Sequence, residues 1–267
     1  MRARLVRTCL AATLAVAVAL PVAAQPAQAD EGDNGAIYEL ILDLVSSLLS
    51  KSESGLSKTE IAQLVLELVT AINSHEADII SHIDRIEAAD LRGEATGILL
   101  VSENLNSMTG TALQNHAASA TVTAKKAQSQ IKAVESKAAA DDLGYSMHTL
   151  YNIAIVANAK ANWNWKSVRD HYYIANDELI RKLAPTCANE QVVQGPGQIY
   201  EVYHCQAYDG RTAQDAQWYT NGKWHVLRNG EWVEGQVNQV EVQNQATAHT
   251  SRAIAIAVLR ERDAAQP

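Results

Sequence analysis

Between residues 61 and 86 the apolar side chains step alternately by four and by three. Ile61, Val65, Leu68, Ile72, Ile79 and Ile86 fall on this series, and His75 and His82 take its two remaining places. A period of 3.5 keeps one helical stripe facing a partner for about four heptads. The spacing therefore predicts a long helix packed lengthwise against another, and it excludes a strand, whose period is two. Ser57-Lys58-Thr59-Glu60 opens the helix as a capping box, in which the Ser57 and Glu60 side chains satisfy two orphan amides reciprocally. His75 and His82 sit one heptad apart as polar layers that set register. They are also a candidate pH-sensitive pair, because imidazoles charge at roughly pH 6. Metal ligation does not suit them, since helical ligands stand three or four residues apart on one face.

Residues 1–29 read as a secretory leader: Arg2, Arg4 and Arg7, an apolar run over 10–22, then Ala27-Gln28-Ala29 as a small-x-small cleavage site. The expected mature chain is residues 30–267, exported. Removal of three arginines and no acid takes the formal charge from −8 to −11. So acidic a surface repels phosphate backbones, which excludes nucleic acid as a partner. Beyond the leader no apolar run approaches the ~20 residues that span a bilayer. Cys187 and Cys205 remain in a compartment that permits oxidation, and one disulfide is expected between them.

Residues 30–185 read as helical. Ile37, Leu40, Ile41, Leu44 and Leu48 share one face ahead of the break at Ser52-Glu53-Ser54-Gly55. After the seam, residues 91–140 continue as helix with a break at Thr109-Gly110. Ten alanines over residues 111–140 favour helix and let neighbours approach closely. Asp141-Asp142-Leu143-Gly144 predicts a turn. A further helical stretch over 145–183 bends at Asn162-Trp163-Asn164-Trp165 and stops before Pro185. Thirteen of the fourteen aromatic residues lie between Tyr145 and Trp232, which places the best packing where this last helical hairpin meets the segment after Pro185.

That segment reads as β. Over residues 186–236, Asp209-Gly210, Asn221-Gly222 and Asn229-Gly230 supply hairpin turns, because type I′ turns need positive φ at both central positions. They predict a meander of three or four strands over 198–235, with Cys187 tying the end of the preceding helix to Cys205 in the first strand. Two-residue turns set Tyr219 opposite Trp224, Val226 opposite Val233 and Arg228 opposite Glu231 on one face. Trp218, Lys223, His225, Leu227 and Trp232 then occupy the other. Trp218, Tyr219, Trp224, His225 and Trp232 are the candidate contact surface. Residues 237–267 read as one helix returning to the helical part.

Catalytic signatures such as H-E-x-x-H and G-x-S-x-G are absent from the sequence. His171, His204 and His225 share the aromatic-rich region without a nucleophile motif beside them. The stretch "GKWHVLRNGEWVEG", residues 222–235, resembles one unit of the Gly-Trp/Tyr hairpin repeats of choline-binding and glucan-binding cell-wall proteins. Those families stack several units and form sites between neighbours; this chain has one, so no binding residues carry over. In outline, a helical protein with an inserted β element also resembles the helical pore-forming toxins, whose tongue enters membrane. The insertion departs from that pattern by carrying Lys223, His225, Arg228, Glu231 and Glu234.

The expectation is a mainly α protein: an elongated helical bundle or coiled coil with a small antiparallel β meander inserted before the C-terminal helix. Its expected role is that of a secreted, non-enzymatic protein, without metal or cofactor, acting through contact with a protein or a cell-surface glycan. The helical seam is the expected route to a homo-oligomer. The alternatives are a membrane-active protein and a cell-wall carbohydrate-binding protein.

Overall fold

A computed structural model of the protein describes residues 56–265. The leader and the amphipathic stretch over 37–48 lie outside the described residues. Five helices come first: α1 (Lys58–Asp84), α2 (Ala89–Ser102), α3 (Gly110–Ala133), α4 (Lys137–Lys160) and α5 (Trp165–Lys182). Five strands come next: β1 (Thr186–Gly195), β2 (Gln198–Gln206), β3 (Thr212–Thr220), β4 (Lys223–Arg228) and β5 (Glu231–Glu234). Two helices, α6 (Gln239–Ala246) and α7 (Ser251–Ala264), close the described chain.

The capping box at α1 forms in full: the Ser57 N–H donates to Glu60 Oε2 at 2.8 Å, and the Glu60 N–H donates to Ser57 Oγ at 3.3 Å. Val65, Leu68, Ile72, Ile79, His82 and, just past the helix, Ile86 are buried within the chain itself. The helix is not continuous along this seam. His75 has non-helical angles (φ −124°, ψ 20°) and kinks it.

At the centre lies α4, in which every residue from Asp141 to Ala159 except Asp142 is buried. It packs against α1, α2, α3, α5 and α7. A helix enclosed on all sides needs neighbours that approach closely, and the alanine-rich stretch supplies one. Ala117, Ala120, Ala124 and Ala127, at alternating spacings of three and four, are fully buried on α3. That stretch is two helices rather than one, separated at Val134–Ser136, where the Ser136 Oγ accepts from the Ala139 N–H and caps α4.

Several expectations are corrected by these elements. Asp141-Asp142-Leu143-Gly144 is no turn but helix interior. Gly144 is needed because a Cβ there would stand 2.2 Å from Ser251 Oγ, so the glycine admits α7 rather than bending the chain. The C-terminal segment is two helices rather than one. The Thr247 and Thr250 hydroxyls donate to the carbonyls of Gln243 and Thr247, at 3.0 and 2.8 Å, and so hold the corner between them. The best packing is in the helical core, where Tyr145, Tyr151, Trp165, Tyr172 and Tyr173 are buried, and not at the junction with the sheet. The bend after α4 is as expected: Asn162 takes φ 58°, and Asn164 Oδ1 accepts from the Ser167 N–H at the start of α5.

Beside these helices, Arg252 at the start of α7 is buried and has no carboxylate partner among the described residues. Its guanidinium donates to the Ile180 carbonyl at 3.2 Å, to Asn244 Oδ1 at 3.2 Å and to Thr247 Oγ1 at 2.7 Å. The end of α5 and the start of α7 are therefore adjacent, although the whole sheet separates them in sequence.

The sheet has five antiparallel strands in sequence order, not three or four, and begins at Thr186. The additional strand, β1, mixes polar and apolar residues on both faces, so it lacks the apolar alternation by which strands are read from sequence. Cys187 consequently sits in β1 rather than at a helix end, directly opposite Cys205, and the two form a disulfide with Cα atoms 4.1 Å apart.

Candidate functional site

Both Asn-Gly pairs adopt the positive φ that a tight hairpin requires, 52° and 81° at Asn221-Gly222 and 51° and 85° at Asn229-Gly230. The resulting register sets Tyr219 opposite Trp224, Val226 opposite Val233 and Arg228 opposite Glu231, as the turns predict. Each side chain's face is set by this register.

One face carries every buried residue of the strands: Glu201, Tyr203, Cys205 and Val226. Helix α6 lies on it. Tyr203, Cys205, Val242 and Ala246 form a small core, and Gln243 Nε2 donates to the Tyr203 hydroxyl at 3.1 Å. Glu201 is buried there but accepts from Gln217 Nε2 at 2.8 Å, while Gln217 Oε1 accepts from the Val237 N–H at 2.9 Å. Tyr219 and Trp224 also belong to this face, as a half-buried pair with ring centroids 5.1 Å apart.

The opposite face has no buried residue. Across it runs one row drawn from all five strands: Val192, Tyr200, Trp218, His225 and Glu234. Trp232 meets the row edge-on, with its ring 6.3 Å from Tyr200 and 6.0 Å from Trp218. Tyr200 and Trp232 stand three strand spacings apart, about 14 Å in a flat sheet. Their rings meet because both long side chains lean towards each other across β3 and β4, so Tyr200, Trp218 and Trp232 form one continuous aromatic cluster on this face. Trp232 is 38% exposed, and Trp218 and His225 are half-buried. Trp218 Nε1 and His225 Nδ1 have no hydrogen-bond partner among the described residues, although both atoms are shielded from solvent. Lys223 and Glu234 pair at 2.7 Å on the rim.

The five residues read from sequence as a contact surface thus divide. Trp218, His225 and Trp232 share the uncovered face, whereas Tyr219 and Trp224 lie on the side that α6 occupies. Tyr200 and Val192 belong to the row and are not visible in the sequence pattern. Tyr200 meets Trp218 through the five-residue connection at 207–211, whose geometry Asp209-Gly210 alone does not dictate, and Val192 meets Tyr200 through the turn at 196–197 and the register shift between Val193 and Gly195.

A second cluster joins sheet to helices. Asp141 accepts from the Ser251 N–H at 2.7 Å, Ser251 Oγ at 2.6 Å and the Tyr208 hydroxyl at 2.7 Å. Burial raises its pKa above the ordinary carboxylate range, against the opposing pull of these donors. Nearby, His249 Nε2 lies 2.6 Å from Asp209 Oδ2, and the Tyr145 hydroxyl donates to the His249 carbonyl at 3.0 Å. His82 stacks on the Tyr145 ring at 4.1 Å, with Nδ1 3.2 Å from Asp142 Oδ1, while His75 is partly exposed at the kink, 4.0 Å from Asp78.

This cluster lacks the geometry of nucleophilic catalysis. The Ser251 hydroxyl donates to a carboxylate. The buried His148 is engaged elsewhere, through Nδ1 with the Tyr172 hydroxyl at 2.8 Å and through Nε2 with the Ser251 carbonyl at 3.2 Å. Of the remaining histidines, His171 is exposed on α5, and His204 is half-buried on β2, on the same face as His225. Among the described residues no group of three or more His, Cys, Asp or Glu is placed to hold a metal ion. No helix among them is long and apolar enough to cross a membrane.

No protein-family model matches the chain, and neither a curated protein nor a solved structure does.

Proposed function

We propose that this is a secreted, non-enzymatic interaction protein that binds another protein at the cell surface through the aromatic face of its sheet. One observation carries the reading: α6 packs on the one face that has buried residues, Glu201, Tyr203, Cys205 and Val226, whereas among the described residues nothing buries the face bearing Tyr200, Trp218 and Trp232. Large aromatic rings with polar edges dominate the energetics of protein contacts, since they bury much area at little cost in side-chain entropy. The leader-like N-terminus and the Cys187–Cys205 disulfide support an exported location.

A carbohydrate partner is the second reading, favoured by the cluster of partly exposed rings. The test is binding of the purified protein to intact cells treated beforehand with protease or with periodate. Loss of binding after protease supports a protein partner, and loss after periodate supports a glycan. In both cases Trp232→Ala should abolish binding while lowering Tm by only a few degrees, since an edge-on aromatic pair contributes about 0.5–1.5 kcal/mol. Equal binding by wild type and Trp232→Ala would overturn both readings.

A further inference from the structure

We infer that two copies of the chain associate through their β1 edges, pairing antiparallel about a two-fold axis to give one ten-stranded sheet. This inference is independent of the aromatic face and its partner.

It begins with an edge that lacks the usual protection. β1 is ten residues long and, among the described residues, forms one border of the sheet and pairs only with β2. Monomeric proteins shield such a border with lysine, proline, a covering segment or a very short strand, because its free N–H and C=O groups template further pairing. β1 has no proline and no cation, and Glu190 is its one charged residue. No lysine or arginine occurs between Lys182 and Arg211. Val192 and Val193 are 56% and 74% exposed on it. The other border contrasts in each respect: β5 is four residues long, carries Glu231 and Glu234, and has the Lys223–Glu234 ion pair beside it.

The strand is also fixed and correctly oriented. The 4.1 Å Cα separation of Cys187 and Cys205 is that of a closely spaced antiparallel pair, in which backbone groups point away from the partner strand. The N–H and C=O groups of Cys187, Asn189, Gln191 and Val193 therefore face the open edge. The disulfide holds this end of the strand in register.

The occupant that fits is the same strand of a second molecule. With the two-fold axis at Val192, Val192 faces its own copy, Gln191 faces Val193, and Glu190 faces Gln194. No like charges stand opposite one another. An isologous contact of this kind closes on itself, and four-residue β5 leaves no comparable edge by which growth could continue. The seam of α1 is largely taken up within the chain, since Val65, Leu68, Ile72, Ile79, His82 and Ile86 are buried there and Ile61 packs against the same core.

Sedimentation velocity across a dilution series tests the inference with the full chain. The expected result is a concentration-dependent dimer of twice the chain mass. Gln191→Pro removes an outward N–H without touching the ladder to β2, and Val193→Lys places a cation on the edge. Each should give a monomer with unchanged circular dichroism and an intact Cys187–Cys205 disulfide. Glu231→Lys, on the opposite border, should remain dimeric. A wild-type monomer throughout the series, or a dimer that survives both β1 substitutions, would overturn the inference.

Discussion

Gly144→Ala sets helix propensity against packing at a single methyl group. In an unconstrained helix interior the change is favourable by roughly 0.5–1 kcal/mol, because alanine loses less backbone entropy on folding. At residue 144 the methyl would stand 2.2 Å from Ser251 Oγ, 2.8 Å from Ser251 Cβ and 3.0 Å from Leu179 Cδ2. Ser251 cannot swing aside freely, because both its N–H and its hydroxyl are bound to buried Asp141 at 2.7 and 2.6 Å. Either α7 retreats from α4 or those bonds break. Overpacking costs about 1–3 kcal/mol, and weakening hydrogen bonds to a buried carboxylate adds about 1.5–3 kcal/mol. After the propensity gain, a net loss of about 1.5–5.5 kcal/mol is expected, which lowers Tm by roughly 3–22 °C for a domain of this size. Gly97→Ala supplies the control. It lies in α2 with nothing within 4 Å of the added methyl, so the same substitution should stabilise there by about 0.5–1 kcal/mol. Urea denaturation and thermal melts of both variants measure the two effects. A Gly144→Ala protein as stable as wild type would refute the close approach of α7 to α4.

Burial lowers the pKa of His148 from 6.5 to about 4. As pH falls through that window the unfolded chain binds a proton that the folded chain refuses, so stability present above pH 6.5 is lost. The loss is roughly 3 kcal/mol at about 1.4 kcal/mol per unit. His148→Gln should flatten the acid limb of a stability–pH curve measured in urea, though not abolish it, because burial lowers His116 in the same direction; an unchanged slope counts against the assignment. Replacing Cys187 and Cys205 together with Ala opens a link across 18 residues and should cost about 3 kcal/mol. Tryptophan fluorescence should report that loss in the sheet while the helical circular dichroism persists; simultaneous collapse of both signals would show that the sheet and helices unfold as one unit. Tyr208→Phe removes a donor 2.7 Å from Asp141 and should lower the urea midpoint by the equivalent of about 1.5–3 kcal/mol, whereas no change would mean that water replaces the hydroxyl.

What could be read from the sequence was what neighbouring residues settle among themselves. The Ser57–Glu60 box, the break before Gly110, the Asn162–Asn164 bend and the two Asn-Gly hairpins each depend on a few consecutive residues, and each is present. The register across Asn221-Gly222 came from turn length alone and divided the aromatic residues correctly between faces. Features that depend on residues distant in sequence were not legible. Gly144 has the local signature of a turn, and only the arrival of Ser251, more than a hundred residues later, makes it a packing position. β1 resembles a loop by composition because only Cys187 on it packs against a core. Which face α6 would cover was equally hidden, since Tyr203 and Tyr200 differ in sequence by parity and not by chemistry. Tyr200 joins Trp218 through a register that the 207–211 connection sets.

The contact between Arg252 and the Ile180 carbonyl has a consequence for how this chain can change. The backbone leaves the helices at the end of α5 and rejoins them a side chain's reach away, at the start of α7. Everything between, the sheet together with α6, is a cassette mounted on one doorway. Its strands can be lengthened, recoded or exchanged without altering the spacing of the helices that carry them, so selection can act on the exposed surface while the interior of the protein stays as it is.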